Sequence, residues 1–124
     1  MSVRFELDNA RIGVVGLGYV GLPLAVEFGK RRPTIGFDIN EVRIAELRAG
    51  HDSSLECEPH ELAEARLLTY TNSAEDLKSC NTYIVTVPTP VNDNKQPDLD
   101  PLRSASRNLG SILKTGDLVI YEST

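Results

Sequence analysis

GVVGLGYVGLPLAVEF, residues 13–28, decides how the rest of the chain is read. Its first twelve residues hold four glycines and no charge, and its only charge is Glu27. Three readings compete: a loop that holds phosphates, a membrane segment, and a plain corner between strand and helix. Ile12–Val26 is uncharged over 15 residues, short of the ~20 apolar residues that a spanning helix needs. It is also interrupted by Gly13, Gly16, Gly18, Gly21 and Pro23. The membrane reading fails.

Gly16-Leu17-Gly18-Tyr19-Val20-Gly21 has the spacing G-x-G-x-x-G, and it follows the short β-branched run Arg11–Gly16 and opens a helical pattern. That setting gives the spacing meaning. Gly16 allows the tight turn, Gly18 lets backbone approach a pyrophosphate, and Gly21 lets the helix pack close to the strand. Free N–H groups and the helix dipole would then face negative charge. Glycines at such junctions also serve packing alone. Asp38 shifts the balance: it ends the second strand 22 residues after Gly16, where a carboxylate accepts hydrogen bonds from the adenosine ribose and repels a 2′-phosphate. A lesser role for Asp38, capping the next helix, is one Asn40 can fill. Together these features point to NAD rather than NADP.

Outward from this loop, strand-length apolar runs alternate with helical patterns, as in βαβ units around a parallel sheet. The spacing predicts strands at Arg11–Gly16, Thr34–Asp38, Leu67–Thr71, Thr82–Val87 and Asp117–Tyr121. It predicts helices at Tyr19–Lys30, with Val20, Leu24, Ala25 and Phe28 inward, and from the Asn40 cap to Ala49, with Val42, Ile44, Ala45 and Leu47 inward and Gly50 as the stop. Shorter helical pieces are expected at His60–Arg66 and at Ser73–Ser79, where Ser73 caps, and a longer helix at Leu99–Leu113. The expected fold is an α/β Rossmann-type doubly wound parallel sheet, order 3-2-1-4-5, forming one domain over residues 1–124. In that order the crevice opens between strands 1 and 4, so the glycine loop and Val87-Pro88-Thr89-Pro90 flank one cleft. The second loop reads equally as a rigid surface turn or as the cleft's second wall. The sequence stops at Glu122-Ser123-Thr124, directly after the fifth strand, and a doubly wound sheet would continue there. The expectation is therefore a domain truncated after strand 5.

Thirteen basic and eighteen acidic residues in 124 give a net charge of -5. No basic face suits nucleic acid; Lys30-Arg31-Arg32 reads as a solvated cap that complements a helix C-terminus. Cys57 and Cys80 lack metal-ligand spacing and read as reduced thiols of a cytoplasmic protein, and no metal site is expected. The acidic N-terminal stretch has no signal-peptide core. Glu56 and Glu58 would raise the Cys57 thiol pKa, and Cys80 is expected to pack beside the fourth strand. His51 and His60 read as loop and cap residues.

The segments VVGLGYVGLPLAVEFG, GFDIN, VTVPTPVNDNKQPDLDPL and YEST resemble the N-terminal domain of the UDP-glucose/GDP-mannose dehydrogenase family. NDNKQPDLDPL is similar to the branch acting on UDP-N-acetylhexosamines in bacterial capsule and O-antigen synthesis. The resemblance implies oxidation of a sugar C6 alcohol to a carboxylate in two NAD-dependent steps, through a cysteine thioester. It implies cofactor contacts at Gly16, Leu17, Gly18, Tyr19, Val20 and Gly21, at Asp38, and at Arg43 near the adenosine end. It implies more at Val87, Pro88, Thr89, Pro90, Ser123 and Thr124, with Thr124 helping to place the hydrolytic water. Read by itself, Arg43 is an exposed helix residue. The family's nucleophilic cysteine, catalytic lysine and asparagine, and UDP-binding domain have no counterpart in these 124 residues. The chain alone is expected to be inactive, the whole enzyme a homodimer. Two alternatives remain: another NAD-dependent dehydrogenase, for UDP-glucose or a hydroxyacid, and a non-catalytic nucleotide-binding module complete in itself. A truncated domain should expose apolar surface and self-associate.

Overall fold

The structure, a computed structural model, describes residues 10–88, 91 and 93–122. Its sheet has five parallel strands: β1 (Ile12–Val15), β2 (Thr34–Phe37), β3 (Leu68–Thr71), β4 (Thr82–Val85) and β5 (Leu118–Tyr121). They lie in the order β3-β2-β1-β4-β5, as the spacing predicts. β1 pairs with β2 from Ile12 opposite Thr34, and with β4 from Ile12 opposite Thr82. Side chains alternate across a strand, so β1 and β4 feed two cores. Ile12, Val14 and Ile84 join one; Val15, Tyr83 and Val85 join the other. Burial on both faces explains why these strands read as continuous apolar runs.

The first core is closed by α1 (Gly21–Gly29), α2 (Glu41–Arg48) and α3 (Pro59–Glu64), the second by the 3₁₀ turn Ala74–Ser79 and α4 (Asp100–Gly110). In α1 the buried residues are Gly21, Leu22, Ala25, Val26 and Gly29, while Leu24 and Phe28 pack at the margin. Asn40 caps α2 as expected, its Oδ1 accepting from the Val42 and Arg43 amides at 3.0 and 3.2 Å. Gly50 stops the helix at φ +82°. The expected inward face of α2 is half wrong. Ile44 and Leu47 are buried, but Ala45 is exposed and Val42 is 75% exposed. Arg43 takes the inward position instead.

Other ends shift for local reasons. α3 starts at Pro59, whose ring presets the first-turn φ, and the Glu61 carboxylate accepts from the Glu58 amide at 3.0 Å. Ser73 makes no side-chain cap, and the turn after it is 3₁₀ rather than α. α4 ends at Gly110, short of Leu113, which is exposed. Lys30 ion-pairs with Glu27 at 3.0 Å and with Glu64 of α3 at 3.6 Å, so the basic run is only partly a solvated cap. β5 is less covered than the other strands, with Leu118, Ile120 and Tyr121 exposed.

Candidate cofactor cleft

After Val15 the chain turns from β1 into α1 within five residues. Gly16 makes this possible at φ +102°, a conformation costly for any residue with a Cβ. Its N–H donates to Phe37 O at 2.8 Å, tying the loop to β2. The crowding at Gly21 is not against the strand, as the spacing suggests, but within the loop. A Cβ there would overlap Gly16 O and the Thr86 hydroxyl, with Gly16 C at 2.8 Å. Thr86 follows β4, and its hydroxyl donates to Gly16 O at 2.7 Å. β4 ends at Val85 rather than Val87, although the Thr86 N–H still donates to Val15 O at 2.8 Å. At Gly18 a Cβ would meet open space. The N–H groups of Gly18, Tyr19, Val20 and Gly21 find no acceptor among the described residues, the usual state of a helix start.

Asp38 stands at the end of β2, where the fingerprint wants an acid. Its Oδ2 accepts from the Leu17 amide at 3.0 Å and its Oδ1 from the Asn40 amide at 2.9 Å. One carboxylate thus fixes both the glycine loop and the entry to α2. Each oxygen keeps a second acceptor site.

Arg43 corrects the reading of an exposed helix residue. Its side chain is 11% exposed, and Nε and Nη2 both donate to Leu17 O, at 2.9 and 2.7 Å. Nη1 donates to Glu46 Oε1 at 2.7 Å and to Asp52 Oδ1 at 2.6 Å. Burial works to lower the Arg43 pKa, but hydrogen bonds to Glu46 and Asp52 outweigh it and raise it.

A cleft of about 590 Å³ opens between the C-terminal ends of β1, β2 and β4 and one face of α4. Gly16, Leu17, Gly18, Asp38 and Arg43 line one side, Val87 and Pro88 another. Tyr19, Val20 and Gly21 do not line it; Tyr19 is exposed outside and Gly21 is buried beneath. Thr89, Pro90, Ser123 and Thr124 lie outside the described residues. Much of the remaining lining escaped the sequence reading: Ile39 and Asn40 after β2, Asp98 before α4, and on α4 Asp100, Pro101, Ser104, Ala105 and Asn108. Polar residues one turn apart on a helix carry no signal that separates a cleft wall from a solvated face.

Neither thiol reaches the cleft. Burial pushes both Cys57 and Cys80 up to about 11, with Glu61, Asp52 and Glu56, but not Glu58, adding to the effect at Cys57. His51 is in an exposed loop and His60 is exposed in the first turn of α3. Among the described residues no three His, Cys, Asp or Glu side chains converge as metal ligands, and no helix is long and apolar enough to cross a membrane.

A glycine loop with unpaired amides, braced on a strand-end carboxylate at the β1/β4 reversal, is how Rossmann sheets receive a dinucleotide. The sequence model described as "UDP-glucose/GDP-mannose dehydrogenase family, NAD binding domain" matches residues 10–124. The chain belongs to this family. It corresponds to the family's NAD-binding domain. Among curated relatives, UDP-N-acetyl-D-glucosamine 6-dehydrogenase of Pseudomonas aeruginosa is 60% identical over 118 residues, covering 95% of this chain and 28% of the relative. The protein of that name from Salmonella typhi is 57% identical, with 97% and 28% covered. The solved UDP-D-ManNAc dehydrogenase of Pyrococcus horikoshii superposes with a TM-score of 0.79 at 35% identity, over 92% of this chain and 28% of its own. The chain therefore spans 28% of the length of these relatives.

Proposed function

We propose that this chain is the cofactor domain of an enzyme that oxidises the C6 hydroxyl of a UDP-N-acetylhexosamine to a carboxylate. The two oxidation steps use two NAD⁺, and the product serves capsule or O-antigen polysaccharide synthesis. The supporting observation is the glycine loop itself: Leu17 is held by Asp38, while Gly18 lines the cleft with its amide free of any acceptor among the described residues. The two UDP-N-acetyl-D-glucosamine 6-dehydrogenases above supply the substrate class. We place the whole enzyme in the cytoplasm as a homodimer, with residues 1–124 forming one domain that does not turn over alone.

NAD⁺ supplies the hydride acceptor; this chain binds and aims it. The Gly18 amide, at the entry to α1, suits a pyrophosphate, helped by the α1 dipole. The spare acceptor sites of Asp38 suit the ribose hydroxyls and repel a 2′-phosphate. Ile39, Val87, Pro88 and Ala105 give the cleft lining apolar surface that suits a flat base, and Ser104 and Asn108 give it polar groups. Val87, Pro88, Thr89, Pro90, Ser123 and Thr124 complete the cofactor contacts in this reading, and Thr124 also places the hydrolytic water.

NMR titration with NAD⁺ and NADP⁺ tests the reading. Saturable NAD⁺ shifts are expected at Gly16–Gly21, Val87 and Pro88-adjacent amides, with weaker NADP⁺ binding. Asp38→Asn should weaken NAD⁺ about tenfold, the value of one charge-assisted hydrogen bond, and narrow the NAD⁺/NADP⁺ difference. Absence of shifts at millimolar NAD⁺ in both this chain and its full-length parent would overturn it.

A further inference from the structure

Asp52 lies in the loop between α2 and α3, outside the cleft, yet its side chain is fully buried. Its Oδ1 accepts from Arg43 Nη1 at 2.6 Å, Ser54 N at 2.9 Å and Ser54 Oγ at 2.6 Å. Its Oδ2 accepts from the amides of Glu56 and Cys57, both at 2.9 Å. Five donors on one buried carboxylate make it a fixed point. Burying a charge pair gives little net stability even when well bonded. What this one does supply is direction.

The direction passes through Arg43. Asp52 and Glu46 hold Nη1 on one side of the planar guanidinium, which leaves Nε and Nη2 to grip Leu17 O from the other. A trans peptide is planar, with its C=O and N–H pointing opposite ways. Holding Leu17 O on Arg43 therefore sends the Gly18 N–H away from Arg43, and that N–H has no acceptor among the described residues. On the other side of Leu17, Asp38 holds the amide. Both peptide groups of Leu17 are thus set by side chains.

We propose that Asp52 is a positioning residue for the cofactor loop: acting through Arg43, it fixes the Leu17–Gly18 peptide and so aims the Gly18 N–H at the pyrophosphate. This rests on the reading of the loop given above. It also gives Arg43 a role different from contact with the adenosine end.

The test compares Asp52→Asn and Arg43→Lys with the wild-type 124-residue chain, using ADP-ribose and adenosine as ligands. Lysine keeps the charge beside Asp52 but loses the planar fork, so it serves if the asparagine variant folds poorly. Both variants should bind ADP-ribose about tenfold more weakly while adenosine changes less than twofold. Amide exchange at Leu17, whose buried N–H is held by Asp38, should quicken relative to Val14 and Ile84 in the sheet. Parallel losses for both ligands, or exchange that quickens everywhere alike, would reduce Asp52 to a structural role and overturn the proposal. Unchanged ADP-ribose affinity in both variants would overturn it equally. A wild type that binds no ADP-ribose points instead at the cofactor reading, and it shows before any variant is made.

Discussion

The two walls of the cleft are built on opposite principles. The β1 wall is polar and cross-braced: Asp38, Arg43 and Thr86 bond the backbone of residues 16 and 17, and Asp52 stands behind Arg43. The α4 wall rests on apolar packing of Ala105 and Leu109 into the second core, with Val87 at its margin. It presents Ser104 and Asn108, whose side chains have no partner among the described residues. The difference follows the ligand each wall suits. A pyrophosphate needs amides aimed to a fraction of an ångström, and directional bonds supply that. A base needs a flat slot and one or two polar groups free to bond it.

The comparison breaks most visibly at Gly21. Gly21→Ala should unfold the braced wall, since the clash is with loop backbone that cannot yield. We expect a loss of about 3 kcal/mol in chemical denaturation, the upper range for overpacking, together with loss of NAD⁺ binding. A variant with near-native stability and binding would show that the loop is softer than described.

Acid should act on one wall first. Burial works to raise the Asp52 pKa, but bonds from Ser54, Arg43 and the Cys57 and Ser54 amides outweigh it and hold the group well below the usual carboxylate range. An unfolded aspartate titrates near 3.9. Below that, the unfolded chain takes up a proton that the folded chain refuses, so stability falls as pH falls. The Asp52 contribution is therefore full above about pH 5 and declines below about pH 4. Denaturation curves from pH 7 to 3 should show this slope, reduced in Asp52→Asn. An identical slope in the variant would remove Asp52 from the account.

The smallest effect sharpens the other wall. Ser104→Ala and Asn108→Ala should each cost about 1 kcal/mol in NAD⁺ affinity, one neutral hydrogen bond, and leave the melting temperature unchanged. If both bind NAD⁺ normally, the base lies elsewhere in the cleft.

What the sequence could and could not disclose follows the same division. The sheet order was readable because both faces of β1 and β4 are buried, and β-branched runs report that directly. Gly16 and Asp38 were readable because spacing alone ties a turn glycine to a strand-end acid. The face of α2 was misread because counting apolar types favours Val42, whereas the inward place belongs to Arg43, drawn in by Leu17 O and two acids. Asp52 gave no signal, being one acid in the polar run HDSS. Its role exists only once the loop after α2 folds back beneath the glycine turn.

The uniform register of the central strands has one more consequence. β1 and β4 run side by side in parallel, with Val15 opposite Val85, and the two cleft loops leave from adjacent strand ends. Neighbouring strands stand about 4.8 Å apart whatever their side chains. The gauge of the cleft at its floor is thus a property of the backbone lattice. Substitution can change what the opening grips, but the spacing of its two rails is inherited from the sheet.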